Sequence, residues 1–125
     1  NNVQPIWGEN FKKKLFNSKI ALNLRQGAPL KYYSSDRIAQ LMGNGAPTLI
    51  DKKTKLDHFF KKNEAIFYSD FNDLNKKINK FVKNNKLRCQ VAKNGRITYH
   101  KKYNSLKIAD FIICKNFNIK KNFDW

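Results

Sequence analysis

Residues 34–51, SSDRIAQLMGNGAPTLID, place a short helical pattern directly before an apolar run that ends at an aspartate. The helical pattern starts after a pair of serines that can cap it, and Ile38, Leu41 and Met42 form its inward face. Two glycines end the helix, and residues 47–50 follow as a strand. A helix that leads at once into a short, wholly apolar strand is typical of a parallel sheet covered by helices.

The same alternation of strand and helix continues on both sides of this stretch. Apolar runs at residues 20–24 and 65–68 predict two more buried strands. The patterns between and beyond the strands predict helices over residues 9–17, with Phe11, Leu15 and Phe16 on one face, and, briefly, over 54–60. A long helix is capped by Asp70 and Asp73, carries Phe71, Leu74, Ile78 and Phe81 on one face, and breaks at Asn84-Asn85. Two more helices follow, one marked by Leu87, Val91 and Ile97 and one over residues 105–115. We therefore expect an α/β fold, a Rossmann-like α/β/α arrangement of three layers around a short parallel sheet.

Composition limits the chain to one domain and points to anionic partners. Its 125 residues are 41% hydrophobic, and 26 lysines and arginines stand against 9 aspartates and glutamates, which gives a net charge of +17. Such a charge attracts nucleic acid, anionic lipid or phosphorylated small molecules. Most of the surplus is lysine beside abundant Asn, Ile, Phe and Tyr, whose codons are AT-rich, so genome composition explains it equally well.

The few cysteines and histidines favour neither a metal site nor a disulfide framework. Cys89 and Cys114 lie in helical patterns without the spacing of metal ligands, and His58 and His100 are the only histidines. No run approaches the roughly 18 apolar residues that a membrane span requires. We expect a cytoplasmic protein without metal or cofactor, with peripheral attachment to the inner membrane as an open alternative.

The start of the helix at Ser34 and Ser35 is the first candidate site. Ligands of parallel sheets bind at the carboxyl ends of the strands, where a helix N-terminus offers free N–H groups to phosphate. The serine hydroxyls add donors, Arg37 can bind phosphate oxygens with its forked guanidinium, and Gln40 can bind a sugar hydroxyl. An ordinary serine-capped helix would show the same pattern.

The order of several segments resembles that of a known family. The segments are Trp7-Gly8-Glu9, residues 19–23 (KIALN), residues 35–47 (SDRIAQLMGNGAP), residues 56–64 (LDHFFKKNE), residues 70–79, and residues 92–96 (AKNGR) with His100 and Tyr103. Together they resemble the C-terminal donor-binding domain of group 1 glycosyltransferases with the GT-B fold, in the CgeB-like, family 4-like branch. The resemblance extends from Gly8 to Phe117.

The resemblance implies the half of a glycosyltransferase that holds a nucleoside-diphosphate sugar as substrate. The donor-binding residues it implies, together with those that the helix start and the strand ends suggest, are Arg25, Tyr33, Ser34, Ser35, Arg37 and Gln40. Gln40 stands where the family has a carboxylate for the donor hydroxyls, and Tyr32 stands where related families have an earlier glutamate. No catalytic residue is identified, and whether Gln40 leaves the enzyme active stays open.

The resemblance also implies how the chain is organised and what it meets. Residues 1–115 are expected to form part of a Rossmann-like domain, and residues 116–125 an arm that reaches an acceptor domain encoded upstream. On its own the chain is expected to be inactive. Further expected partners are an anionic membrane surface or a phosphorylated lipid acceptor, whereas nucleic acid is not expected. Two alternatives remain, a basic nucleic-acid-binding module and a degenerate, non-catalytic glycosyltransferase-like domain.

Overall fold

A parallel sheet of three strands lies at the centre of the computed structural model, which describes residues 4–24 and 27–124. The strands are β1 (Ala21–Asn23), β2 (Thr48–Asp51) and β3 (Ile66–Tyr68), in the spatial order β1-β2-β3. Leu49 of β2 lies opposite Leu22 of β1 and Ile66 of β3. The three predicted strands and their parallel arrangement are confirmed.

Within these residues, five α-helices and two 3₁₀ turns connect and cover the strands. They are α1 (Gly8–Phe16), α2 (Asp36–Gly43), α3 (Phe71–Lys83), α4 (Asn85–Lys102) and α5 (Ser105–Asn116), with 3₁₀ turns at Lys52–Thr54 and Leu56–His58. Side-chain caps fix the starts of the last three helices. Asp70 accepts a hydrogen bond from the N–H of Asp73 (2.9 Å), as the sequence predicts, and Asn84 and Asn104 cap α4 and α5 in the same way.

Apolar side chains of the sheet alternate between two hydrophobic clusters, one on each face. Ile50 and Phe67 point to a cluster that includes Ile38 and Met42 of α2. Their neighbours Leu49 and Ile66 point to the other cluster, together with residues of α3. A strand buried on both faces must be apolar at every position, which is why these runs do not alternate in polarity. The predicted Rossmann-like arrangement of three layers is confirmed.

Helix α4 contributes to both clusters because it crosses the end of the sheet. Val91 belongs to the cluster with α3, whereas Tyr99 and Tyr103 pack against the cluster with α2. Gly95 lies between them, and a Cβ atom there would be 2.3 Å from the carbonyl oxygen of Glu64, just before β3. Gly95 is therefore a point of close packing.

Other sequence expectations are corrected by the structure. The brief helix predicted over residues 54–60 is instead the pair of 3₁₀ turns, because Lys55 adopts a left-handed conformation (φ 57°) that separates them. Three side chains expected on inward helix faces are exposed: Phe16, Phe71 and Ile97. Helical spacing alone did not distinguish the edge of an apolar stripe from its centre.

The segment after α5, residues 117–124, packs back along that helix without regular structure. The Phe123 ring lies edge-on to Phe111 with centroids 5.2 Å apart. The N–H of Ile119 donates to the carbonyl of Cys114 (2.9 Å), and Lys107 pairs with Asp124 (2.9 Å). The predicted arm thus lies against its own helix.

Candidate functional site

A cleft of about 620 Å³ opens at the carboxyl ends of all three strands. Asn23, Asp51 and Tyr68 are the last residues of β1, β2 and β3, and all three line it. The remaining lining residues come from the loops and from the start of α2: Leu24, Gly27, Pro29, Tyr33, Ser35, Asp36, Arg37, Lys53 and Thr54. The cleft therefore occupies the position where parallel α/β sheets bind ligands.

The turn after β2 is held by Asp51. Its carboxylate accepts a hydrogen bond from the N–H of Lys53 (2.8 Å), and its carbonyl oxygen accepts one from the hydroxyl of Thr54 (2.6 Å). These two bonds start a 3₁₀ turn directly after the strand, with Lys53 on the wall of the cleft. One carboxylate oxygen of Asp51 keeps capacity for a further donor.

Asn23 carries an unsatisfied polar atom on this wall. Its Oδ1 atom is buried and has no hydrogen-bond partner among the described residues. A buried acceptor without a donor costs about 1–3 kcal/mol. A donor group of a bound ligand would remove that cost.

The strand end of β3 adds a hydroxyl. Burial, and to a lesser degree the negative charge of Asp51, raise the pKa of Tyr68. Both effects keep its phenol protonated at neutral pH, so Tyr68 is a hydrogen-bond donor there.

At the start of α2, Ser35 is the N-cap residue, but its side chain makes no capping hydrogen bond. The guanidinium of Arg37 donates to the carbonyl of Leu24, which ties the first turn of α2 to the chain leaving β1. Arg37 has five N–H donors, and this bond uses only part of them. The helix start thus offers a free serine hydroxyl, backbone N–H groups and a positioned guanidinium.

The charged side chains that line the cleft balance one another among residues 4–24 and 27–124. Asp36 and Asp51 supply two negative charges, and Arg37 and Lys53 supply two positive ones. Within the described residues the surplus of lysine therefore lies mainly on other surfaces. The cleft is suited to a ligand that carries both anionic groups and hydroxyls, because cations bind the former and carboxylates accept from the latter.

The structure brings only some of the residues implied by the sequence into the cleft. Tyr33, Ser35 and Arg37 line it, whereas Ser34 and Gln40 do not. Gln40 lies in a separate groove between α1 and α2. Arg25 falls outside the described residues.

Tyr32 lies beside the cleft wall and packs against other aromatic rings. Its ring is edge-on to those of His58 and Phe59, with centroids 5.7 Å away in each case. Its N–H donates to the carbonyl of Thr54 (2.7 Å), which fixes the loop against the turn after β2. The residue at the position of the family's earlier glutamate therefore has a packing role in this chain.

Most lining residues of the cleft were not predicted to bind the donor, among them Asn23, Asp51, Lys53 and Tyr68. Three of them end strands, where the sequence already predicted that ligands bind, although these side chains were not among the predicted donor-binding residues. Lys53 gave no signal, because it is one lysine among many and its place depends on a 3₁₀ turn that the sequence did not predict.

His100 has a structural contact. Its Nε2 atom lies 2.9 Å from the carbonyl oxygen of Gly43, the last residue of α2. The imidazole thus ties α4 to the end of α2. In the part of the chain that the structure describes, no group of three or more His, Cys, Asp or Glu residues is arranged to hold a metal ion.

Comparisons with known proteins agree with this architecture. A model of the glycosyl transferase-like family matches residues 1–113, which include all three strands and α1 to α4. Searches of curated proteins and of solved structures returned no match. None of the helices described is both long enough and apolar enough to cross a lipid bilayer. Because the family model covers most of the chain, the chain belongs to the glycosyl transferase-like family.

Proposed function

We propose that the cleft binds a nucleoside-diphosphate sugar and that the chain is the donor-binding part of a GT-B glycosyltransferase. The observation that carries the proposal is the buried, unpartnered Oδ1 of Asn23 on the wall of a cleft at three strand ends. A sugar or ribose hydroxyl is the kind of donor that satisfies this atom. Family membership supports the transferase class.

Each part of the donor has matching groups in the cleft. Arg37, Lys53 and the N-terminus of α2 bind the diphosphate, because each presents positive charge or N–H donors. Asp51 accepts from hydroxyls with its free carboxylate oxygen. The ring of Tyr33, which is 45% exposed, forms an apolar wall for the base.

Catalysis by such a site consists of positioning the donor and stabilising the charge that develops on the leaving diphosphate. We assign no nucleophile or general base to the described cleft. An acceptor domain is required to complete the reaction, so we expect the 125-residue chain to bind donors without turning them over.

Binding of UDP and GDP, measured by ligand-observed NMR and by thermal shift, tests the proposal. Lys53→Ala should lower the affinity for the nucleotide about tenfold, because it removes one charge-assisted contact. Lys52→Ala is the matched control, since Lys52 is an exposed neighbour in the same turn that does not line the cleft. The control should bind as the parent chain does.

A short DNA duplex, titrated at two salt concentrations, separates the donor site from non-specific attraction by charge. The proposal is refuted if neither nucleotide binds, or if Lys52→Ala and Lys53→Ala weaken binding equally. If only DNA binds, and its affinity falls steeply with salt, the positive charge of the chain serves nucleic-acid binding instead.

A further inference from the structure

A second groove, of about 490 Å³, lies between the start of α1 and the outer side of α2. Its apolar wall consists of Pro5, Ile6, Trp7 and Phe11, and its polar wall of Lys12, Asp36, Arg37, Gln40 and Asn44. A concave site with aromatic lining and a few polar groups is the usual form of a small-ligand site. The cleft at the strand ends does not include this groove, although Asp36 and Arg37 line both.

Trp7 presents an open ring to this groove. The residue is 80% exposed, and its indole makes no ring contact or side-chain hydrogen bond with other described residues. An exposed indole offers a flat apolar face and one N–H donor. The C–H face of a sugar ring stacks on such a surface, while its hydroxyls remain free for hydrogen bonds.

Carboxamides supply the hydrogen-bonding side of the groove. The side chain of Gln40 has no hydrogen-bond partner among the described residues, so both its oxygen and its NH₂ group are available. Asn44 uses its Nδ2 to donate to the backbone carbonyl of Gln40 (2.6 Å), which leaves its Oδ1 as an acceptor. Amides both donate and accept, as hydroxyl groups do.

The part of the groove that the structure describes is close to electrically neutral. Lys12 pairs with Glu9 (2.6 Å), and Arg37 lies beside Asp36 and donates to the carbonyl of Leu24. A polyanion would therefore gain little here, in spite of the net charge of the chain. The chemistry of the groove favours a ligand that is uncharged, rich in hydroxyls and partly apolar.

We infer that the groove between Trp7 and Gln40 is a binding site for a neutral saccharide. The saccharide stacks on the indole and forms hydrogen bonds with Gln40 and Asn44. Since Asp36 and Arg37 line both cavities, the saccharide lies next to the cleft, where an acceptor sugar would have to be. Its use as an acceptor rests on the proposed function, whereas saccharide binding itself does not.

Fluorescence of Trp7 reports on the groove directly. The chain has two tryptophans, so Trp125→Phe leaves Trp7 as the only tryptophan whose emission is followed. This variant is titrated with neutral hexoses, N-acetylhexosamines and their di- and trisaccharides, and saturation-transfer NMR is recorded on the same mixtures. We expect a saturable blue shift with at least one class, because the sugar replaces water around the indole.

Two substitutions and two matched controls locate the ligand. Trp7→Ala should abolish saturation transfer, and Gln40→Ala should weaken binding by about tenfold through the loss of hydrogen bonds. Phe71→Ala removes an aromatic ring of nearly equal exposure (79%) on α3, and Gln90→Ala removes an exposed glutamine of α4. Both controls should bind the saccharide as the parent chain does.

The inference is overturned if no saccharide class shifts the emission of Trp7, or if Trp7→Ala and Phe71→Ala have the same effect. It is also overturned if UDP or GDP displaces the saccharide competitively, since the sugar would then occupy the cleft at the strand ends. Saccharide binding with no nucleotide binding would sustain this site and refute the donor site, so the two proposals fail separately.

Discussion

Replacing Gly95 by alanine tests how closely α4 passes the start of β3. In most helices this change is favourable by about 1 kcal/mol, because alanine is the better helix former. Here the new Cβ atom would lie 2.3 Å from the carbonyl oxygen of Glu64 and 3.2 Å from Cε of Met42. The methionine can move, but the carbonyl belongs to the backbone that leads into β3.

The expected magnitude follows from the size of this overlap. A carbon and an oxygen in contact need roughly 1 Å more than the gap allows, so α4 must shift away from the sheet. Overpacking of this kind costs about 1–3 kcal/mol, and a rigid backbone neighbour places it near the upper end. After the helix-propensity gain of about 1 kcal/mol is subtracted, we expect a net destabilisation of about 2 kcal/mol.

Thermal and urea unfolding followed by circular dichroism provide the assay. For a domain of this size a loss of 2 kcal/mol lowers Tm by roughly 8 °C. Gly43→Ala is the matched control, since Gly43 is also helical and its nearest atom, on Tyr99, lies 3.7 Å away in ordinary contact. The control should be neutral or slightly stabilising, and equal stability of the two variants would refute the close approach.

Three further predictions concern the cap of α3, the core and an exposed side chain of α3. Asp73 accepts from Lys77 and from the N–H of Ser69, and these bonds lower its pKa to about 2. The carboxylate therefore stabilises the fold above its ordinary pKa of 3.8, and this contribution disappears as the pH falls towards 2. Asp73→Asn should be less stable than the parent chain at pH 6, and the difference should vanish near pH 2 in urea titrations; a constant difference contradicts the assignment. Leu49→Ala, at a side chain 1% exposed, should cost about 3 kcal/mol in the same assay. Phe71→Ala, at a side chain 79% exposed, should cost less than about 0.5 kcal/mol, and a large effect there would restore the inward face that the sequence predicted.

Local chemistry made much of the fold predictable. The strands were recognisable because burial on both faces requires apolar residues throughout, as at residues 47–50. The start of α3 was recognisable because Asp70 is followed three residues later by another acceptor, the signature of a capped helix. These features depend on residues close in sequence, which one chain reveals.

Features that depend on residues distant in sequence were harder to predict. Gln40 illustrates this for the candidate site, because it lies one turn beyond Arg37 on α2 and lines the groove but not the cleft. The turn that places Lys53 is followed by Lys55 in a left-handed conformation. Lysine rarely adopts this conformation, so the sequence does not predict it there. The exposure of Phe71 depends on which neighbours α3 meets, and its helical spacing carried no information about them.

The passage of α4 across the end of the sheet has a consequence for how the molecule opens. Because Val91 and Tyr99 anchor the same helix in opposite layers, neither layer can separate without disturbing the other. Helices α2 and α3 pack on opposite faces of the sheet. Even so, their amide protons should exchange with solvent through one shared opening event. Helix α5, whose only buried residue is Cys114, should open separately from this cooperative unit.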